Sequence, residues 1–135
     1  MMFKNKKIDV FYKAKEINTK EWIYGYFTKK EGKDYILSDS LNGEVIWHEI
    51  KPETLCICTG LKDFYDDWLY SGDIIQKGID KSEIWFEDAC FWIKFSHRFG
   101  ISRQVLHSIF YDEETDWILC GNIFDEPPTT ESEDK

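Results

Sequence analysis

Apolar and polar residues alternate at the start of the chain. Ile8, Val10 and Tyr12 fall on one face and Asp9, Phe11 and Lys13 on the other, which predicts a strand over Ile8–Ala14. Asn18-Thr19-Lys20 breaks it, and the aromatic-rich run Glu21–Lys29 predicts a second strand, pairing with the first as a hairpin. After the turn Glu31-Gly32-Lys33, a short strand is expected over Asp34–Ser38. Asn42-Gly43 is a strong short hairpin signal, because Asn and Gly tolerate the positive φ of a tight turn, and Glu44–Ile50 answers it as the returning strand.

Lys51-Pro52-Glu53-Thr54 interrupts the pattern. Leu55–Cys58 reads as a short strand and Thr59-Gly60-Leu61-Lys62-Asp63 as a turn. In Trp68–Ile75, Gly72 reads as a backbone device, a turn at positive φ or a bulge, ahead of a strand begun by Ile74 and Ile75. Gly78–Lys81 turns, and Glu83–Phe95 predicts two short strands broken near Asp88. Ser102–Glu113 is the one helical candidate: Ser102 is a possible N-cap, and Val105, Leu106, Ile109 and Phe110 recur at helical spacing. Asp116–Phe124 predicts a last strand, and Asp125-Glu126-Pro127-Pro128 ends the ordered pattern. The expectation is a mostly β chain, one β-rich domain over residues 1–127 with a subdivision admitted near 51–60. Residues 128–135 read as an acidic disordered tail.

Composition sharpens this picture. The 135 residues suit one domain, and an aromatic content of 17% with six Trp is high for a disordered chain and favours pleated surfaces. The net charge of −9 argues against nonspecific binding to nucleic acid or to an anionic lipid surface, both of which need clustered Lys and Arg. The basic start Lys4-Asn5-Lys6-Lys7 is followed by no apolar h-region, and no run of about 18 apolar residues exists, so a cytoplasmic protein without a membrane span is expected.

The chemistry-bearing residues form no recognised catalytic pattern. Cys56, Cys58, Cys90 and Cys120 have no secretory context for disulfides, and His48, His97 and His107 add no metal-type spacing, so the cysteines read as small core hydrophobes. Asp66-Asp67, Glu87-Asp88 and Glu113-Glu114 are adjacent pairs whose side chains diverge on strands or turns, which suits solvated tips rather than a cleft. There is no phosphate loop or dinucleotide fingerprint. No catalytic, metal-binding or cofactor-binding residue is assigned, and an enzyme is not expected.

Several landmarks are less generic: Trp22-Ile23-Tyr24-Gly25-Tyr26, Pro52-Glu53-Thr54, Thr59-Gly60-Leu61-Lys62-Asp63, Leu69-Tyr70-Ser71-Gly72-Asp73-Ile74 and Gly121-Asn122-Ile123-Phe124-Asp125-Glu126-Pro127. In this order and spacing, from about Tyr12 to Pro127, the chain resembles the YopX family, small proteins of phages and prophages. The resemblance implies an all-β or mostly β protein whose C-terminal half is a small SH3-like barrel; joined to the residue pattern, the expectation is a hairpin-rich N-terminal part and a small SH3-like C-terminal barrel with one short helix. It brings no activity and no functional residue. Where the family often carries a polar Lys-Asn-Gly-Lys-like turn, this chain has Phe64-Tyr65-Asp66-Asp67-Trp68.

That aromatic and acidic segment is the candidate interface, carried by Phe64, Tyr65 and Trp68, because aromatic anchors beside charge suit protein contacts. The alternative is that Phe64 and Trp68 fold back over the end of the barrel. The expected partner is a host or phage protein, or a second copy of this chain, and an open edge strand offers another interface. The weaker alternatives are a nucleic-acid-associated barrel using Lys4, Lys6, Lys7, Lys13, Lys15 and Lys20 with Arg98 and Arg103 flanking Phe99, and a small enzyme with dispersed catalytic residues.

Overall fold

A computed structural model describes residues 11–97, 100–110 and 115–125. They form twelve strands: β1 (Tyr12–Lys15), β2 (Trp22–Lys30), β3 (Lys33–Asp39), β4 (Val45–Glu49), β5 (Cys56–Lys62), β6 (Trp68–Tyr70), β7 (Asp73–Lys77), β8 (Asp80–Glu83), β9 (Trp85–Glu87), β10 (Cys90–His97), β11 (Gly100–Val105) and β12 (Ile118–Asn122). Two 3-10 turns, Pro52–Thr54 and Leu106–Ile109, complete the inventory. One sheet runs β4-β3-β2-β1-β5-β6, a second β11-β10-β9 and a third β12-β7-β8. The protein is mostly β, built from antiparallel sheets, and the described strands close no barrel.

The six-stranded sheet is bent rather than flat. β2 pairs with β1 through Trp22–Gly25, then with β3 through Tyr26–Lys30, so it changes partners at Gly25. A bend at this point needs a residue without a side chain. The far end of β4 then swings back to the end of β1. Glu16 bridges to Ile50, Ile17 N–H donates to the Glu49 carbonyl at 3.0 Å, and His48 Nδ1 lies 3.3 Å from Glu16 Oε2. Inside this curl Ala14, Ile36 and Ile50 are buried, with Tyr12, Ile23, Phe27 and Leu55 packed against them.

The second core lies among the C-terminal strands: Leu69, Ile75, Ile84, Ile93, Leu106 and Trp117. Its two small sheets meet at Ser82 of β8. The Ser82 hydroxyl donates to the Lys94 carbonyl at 2.7 Å and accepts from the Lys94 N–H at 2.8 Å, replacing with one side chain the backbone ladder that is missing there.

Two expectations need correction. The helix over Ser102–Glu113 is not formed. Ser102 lies in β11 opposite Phe95; Leu106–Ile109 makes a single 3-10 turn, and residues 111–114 are outside the described part. The helical signal covered little more than one turn, which cannot nucleate a helix by itself, and the Gly100–Val105 backbone finds its partners in the neighbouring strand instead. The turn read at Thr59–Asp63 is strand: β5 continues to Lys62, with Gly60 at φ +83 and a register shift between Cys58 and Lys62 marking a bulge. The start of the first predicted strand, Ile8–Val10, and the acidic tail fall outside the described residues.

Candidate functional site

A buried polar cluster lies where the N-terminal sheet meets the C-terminal strands. Asp73, at the start of β7, is 0% exposed. Its Oδ1 accepts from Lys13 Nζ of β1 at 2.9 Å and from Asn122 Nδ2 of β12 at 2.9 Å, and its Oδ2 accepts from the Tyr70 N–H at 2.7 Å. The Lys13 ammonium also lies 4.6 Å from the Trp22 ring centroid and 4.9 Å from that of Tyr70, so two aromatic faces replace the water it has lost. Asn122 is held in turn. Its Oδ1 accepts from the Phe124 N–H at 2.8 Å, and its own N–H donates to Asp125 Oδ2 at 3.1 Å. Asp125 Oδ1 accepts from Trp22 Nε1 at 2.8 Å, which returns the network to β2. Gly72 makes room for all this: at φ +89, a Cβ there would sit 3.3 Å from both Asn122 Nδ2 and Cys56 Sγ.

A cleft of about 330 Å³ opens over this junction, lined among others by Lys13, Trp22, Tyr24, Asp73, Asn122 and Asp125. Within it Lys13 and Asp73 pair with each other, and the Asp125 carboxylate accepts from the neutral Trp22 Nε1 and Asn122 N–H. Burial pushes the Cys56 thiol up to about 11, and burial also raises the Cys58 thiol and the Tyr70 hydroxyl. A buried thiol raised this far holds its proton near pH 8 and is a poor nucleophile. The geometry suits a clamp between distant parts of the chain better than a reaction centre. Among the described residues, no three His, Cys, Asp or Glu converge as a metal site. One outcome follows for thiol labelling at pH 8: the exposed Cys120 reacts first, and the buried Cys56 reacts only when the protein unfolds. Mass-spectrometric mapping of labelled sites against time checks this.

The second candidate is the turn between β5 and β6. Asp63 is buried and organises it. Asp63 Oδ1 accepts from the Tyr65 and Asp67 N–H groups, both at 2.9 Å, and Oδ2 accepts from the Leu119 N–H of β12 at 2.8 Å. The Phe64 N–H donates to the Trp117 carbonyl at 2.9 Å, so the turn is fastened to the body of the protein. Phe64 and Tyr65 nevertheless stand outward, 57% and 64% exposed, with their rings edge-on and 5.0 Å between centroids. Trp68 is separated from them. It is half-buried on β6, and Lys62 Nζ covers its ring at 4.5 Å. Thus two of the three expected interface residues come together at the tip, while Trp68 belongs to the flank and Phe64 does not fold back.

The expected basic stripe is not assembled among the described residues. Lys13 and Lys15 are buried, the first on Asp73 and the second over Trp22 at 5.3 Å. Arg103 stacks on Trp92 at 4.0 Å beside Glu87. Lys4, Lys6, Lys7, Arg98 and Phe99 lie outside the described residues. No helix among the described residues is long and apolar enough to cross a membrane.

Sequence reasoning missed the junction of Lys13, Trp22, Asp73, Asn122 and Asp125. Its signal was indirect: Trp22, Asp73, Asn122 and Asp125 each sit in a different landmark stretch or share the last one, and the fold gathers those stretches at one place. No curated protein and no solved structure matches the chain. The family model described as YopX protein matches residues 4–129, nearly the whole chain, which therefore belongs to the YopX family.

Proposed function

We propose that this is a phage- or prophage-encoded accessory protein of the cytoplasm that works by binding another protein, without catalysis, through the Phe64–Tyr65 tip. The observation that carries the reading is the pair of outward aromatic rings on a turn fixed by the buried Asp63 carboxylate. Large apolar groups held rigidly in water lose little conformational freedom on docking, which is what a contact anchor requires. Asp66 and Asp67 beside them favour a partner whose apolar pocket is rimmed by Lys or Arg.

The same reading treats residues 1–127 as one folded unit, because the Lys13–Asp73 pair ties the two halves together. It takes the C-terminal sheets, stitched at Ser82, as an open relative of the SH3-like barrel. Alanine at both Phe64 and Tyr65 is expected to leave stability within about 0.5 kcal/mol, as exposed substitutions do, and to abolish partner capture. Denaturant unfolding and affinity capture on the same preparation check the two halves of that expectation, and undiminished capture removes the tip from the reading.

A further inference from the structure

We infer that two copies of this chain pair through β4, edge to edge and antiparallel, about a two-fold axis at Ile46. β4 is the end strand of the six-stranded sheet. Its even-numbered residues turn their backbone groups toward β3: the Ile50 N–H donates to the Asp34 carbonyl at 3.0 Å, and the Glu44 carbonyl accepts from the Ser40 N–H at 2.8 Å. Alternation then points the N–H and C=O groups of Val45, Trp47 and Glu49 outward. The Glu49 carbonyl is taken by Ile17, whereas no described strand pairs with Val45 or Trp47 on that side. Both faces of the edge are apolar and open as well: Val45 is 52% exposed, Ile46 41% and Trp47 46%. Edges of this kind are normally guarded by a charge, a proline or a bulge, and Val45-Ile46-Trp47 has none.

The occupant follows from the register. Outward residues must face outward residues, which leaves three centrings. One on Val45 would pair Trp47 with Gly43, which lies outside the strand in a turn at φ +87. One on Trp47 would need the Glu49 carbonyl that Ile17 already occupies. Centring on Ile46 pairs Val45 with Trp47 of the other copy, twice, and satisfies all eight outward backbone groups of those residues with four hydrogen bonds. It also sets an aromatic against a β-branched side chain on one face. On the other face it places Ile46 against its own copy, and Glu44 opposite His48. The edge is thus complementary to itself, as an isologous interface requires.

Light scattering and sedimentation over a range of concentrations test this. Wild type is expected as a dimer, and Ile46→Lys and Ile46→Glu each as a monomer that still unfolds cooperatively. An equimolar mixture of the two variants is expected to regain the dimer, because only this register opposes position 46 to itself. Val45→Pro removes one outward N–H and leaves the β3 ladder intact, so it decides the matter if either Ile46 variant fails to fold; it too is expected to be monomeric. A wild type that stays monomeric, a dimer that survives these substitutions, or a mixture that stays monomeric would each overturn the inference. The alanine pair at Phe64 and Tyr65 should leave the mass unchanged, so the outcome is independent of the tip.

Discussion

Replacing Asp73 with alanine is expected to lower the free energy of unfolding by about 3–5 kcal/mol, the range for breaking a buried ion pair from one side. The carboxylate is fully buried, and three donors converge on it from Lys13, Asn122 and Tyr70. Removing it leaves the Lys13 ammonium, whose side chain is 7% exposed, without a counter-charge. It also removes the acceptor of an Asn122 amide N–H and of the Tyr70 backbone N–H. Most of the loss is therefore the desolvation of orphaned donors rather than the net worth of the pair. That account has a checkable corollary. The double change Lys13→Met with Asp73→Asn should lose much less than the sum of the two single changes, because no unpaired charge remains. Urea unfolding of the four proteins in the cycle measures this; additive losses would mean that Lys13 and Asp73 act independently.

Gly25→Ala carries the second large effect, expected at about 3 kcal/mol or more, above the usual range for overpacking. The glycine sits where β2 leaves β1 for β3. A Cβ built there would lie 2.1 Å from the Leu37 carbonyl oxygen and 3.1 Å from Ile36 Cγ2. The first neighbour is backbone in the adjoining strand, so no rotamer change relieves the contact. The strand must either move away from β3, losing the ladder around Tyr26 and Leu37, or straighten, which opens the curl around Ala14, Ile36 and Ile50. Thermal unfolding of the variant checks the magnitude. A loss below about 1 kcal/mol would show that the bend does not depend on the missing side chain.

Much of the N-terminal half was legible because its signals are local. Alternation placed β1, an aromatic-rich run placed β2, and Asn42-Gly43 marked the turn into β4, with Gly43 at φ +87. Gly72 was recognised as a backbone device and stands at φ +89. The failures have particular causes. Val105, Leu106, Ile109 and Phe110 fit a helical stripe, yet of these only Leu106 is fully buried, and the preceding residues gain more from pairing with β10. Gly60 suggested a turn, but a glycine at positive φ also makes a bulge, and the chain reverses three residues later around Asp63. The junction was hidden for a different reason. Lys13 and Asp73 are 60 residues apart, and nothing local in Lys13-Ala14-Lys15 distinguishes a lysine that will be buried on a carboxylate from one that stays in water. The tip was readable as an aromatic and acidic segment, whereas the separation of Trp68 from Phe64 and Tyr65 depended on where β6 begins.

The central claim is that the stretches shared with the YopX pattern build the frame, and that the contact with a partner is made by the tip. The most direct test is affinity capture from nuclease-treated host lysate by three proteins side by side: wild type, the Phe64→Ala/Tyr65→Ala pair and Asp63→Asn. The account predicts one stoichiometric protein on wild type, none on the alanine pair although it folds normally, and reduced capture on Asp63→Asn, whose turn is loosened beneath intact rings. Equal capture by wild type and the alanine pair, or loss of every partner on nuclease treatment, would contradict it.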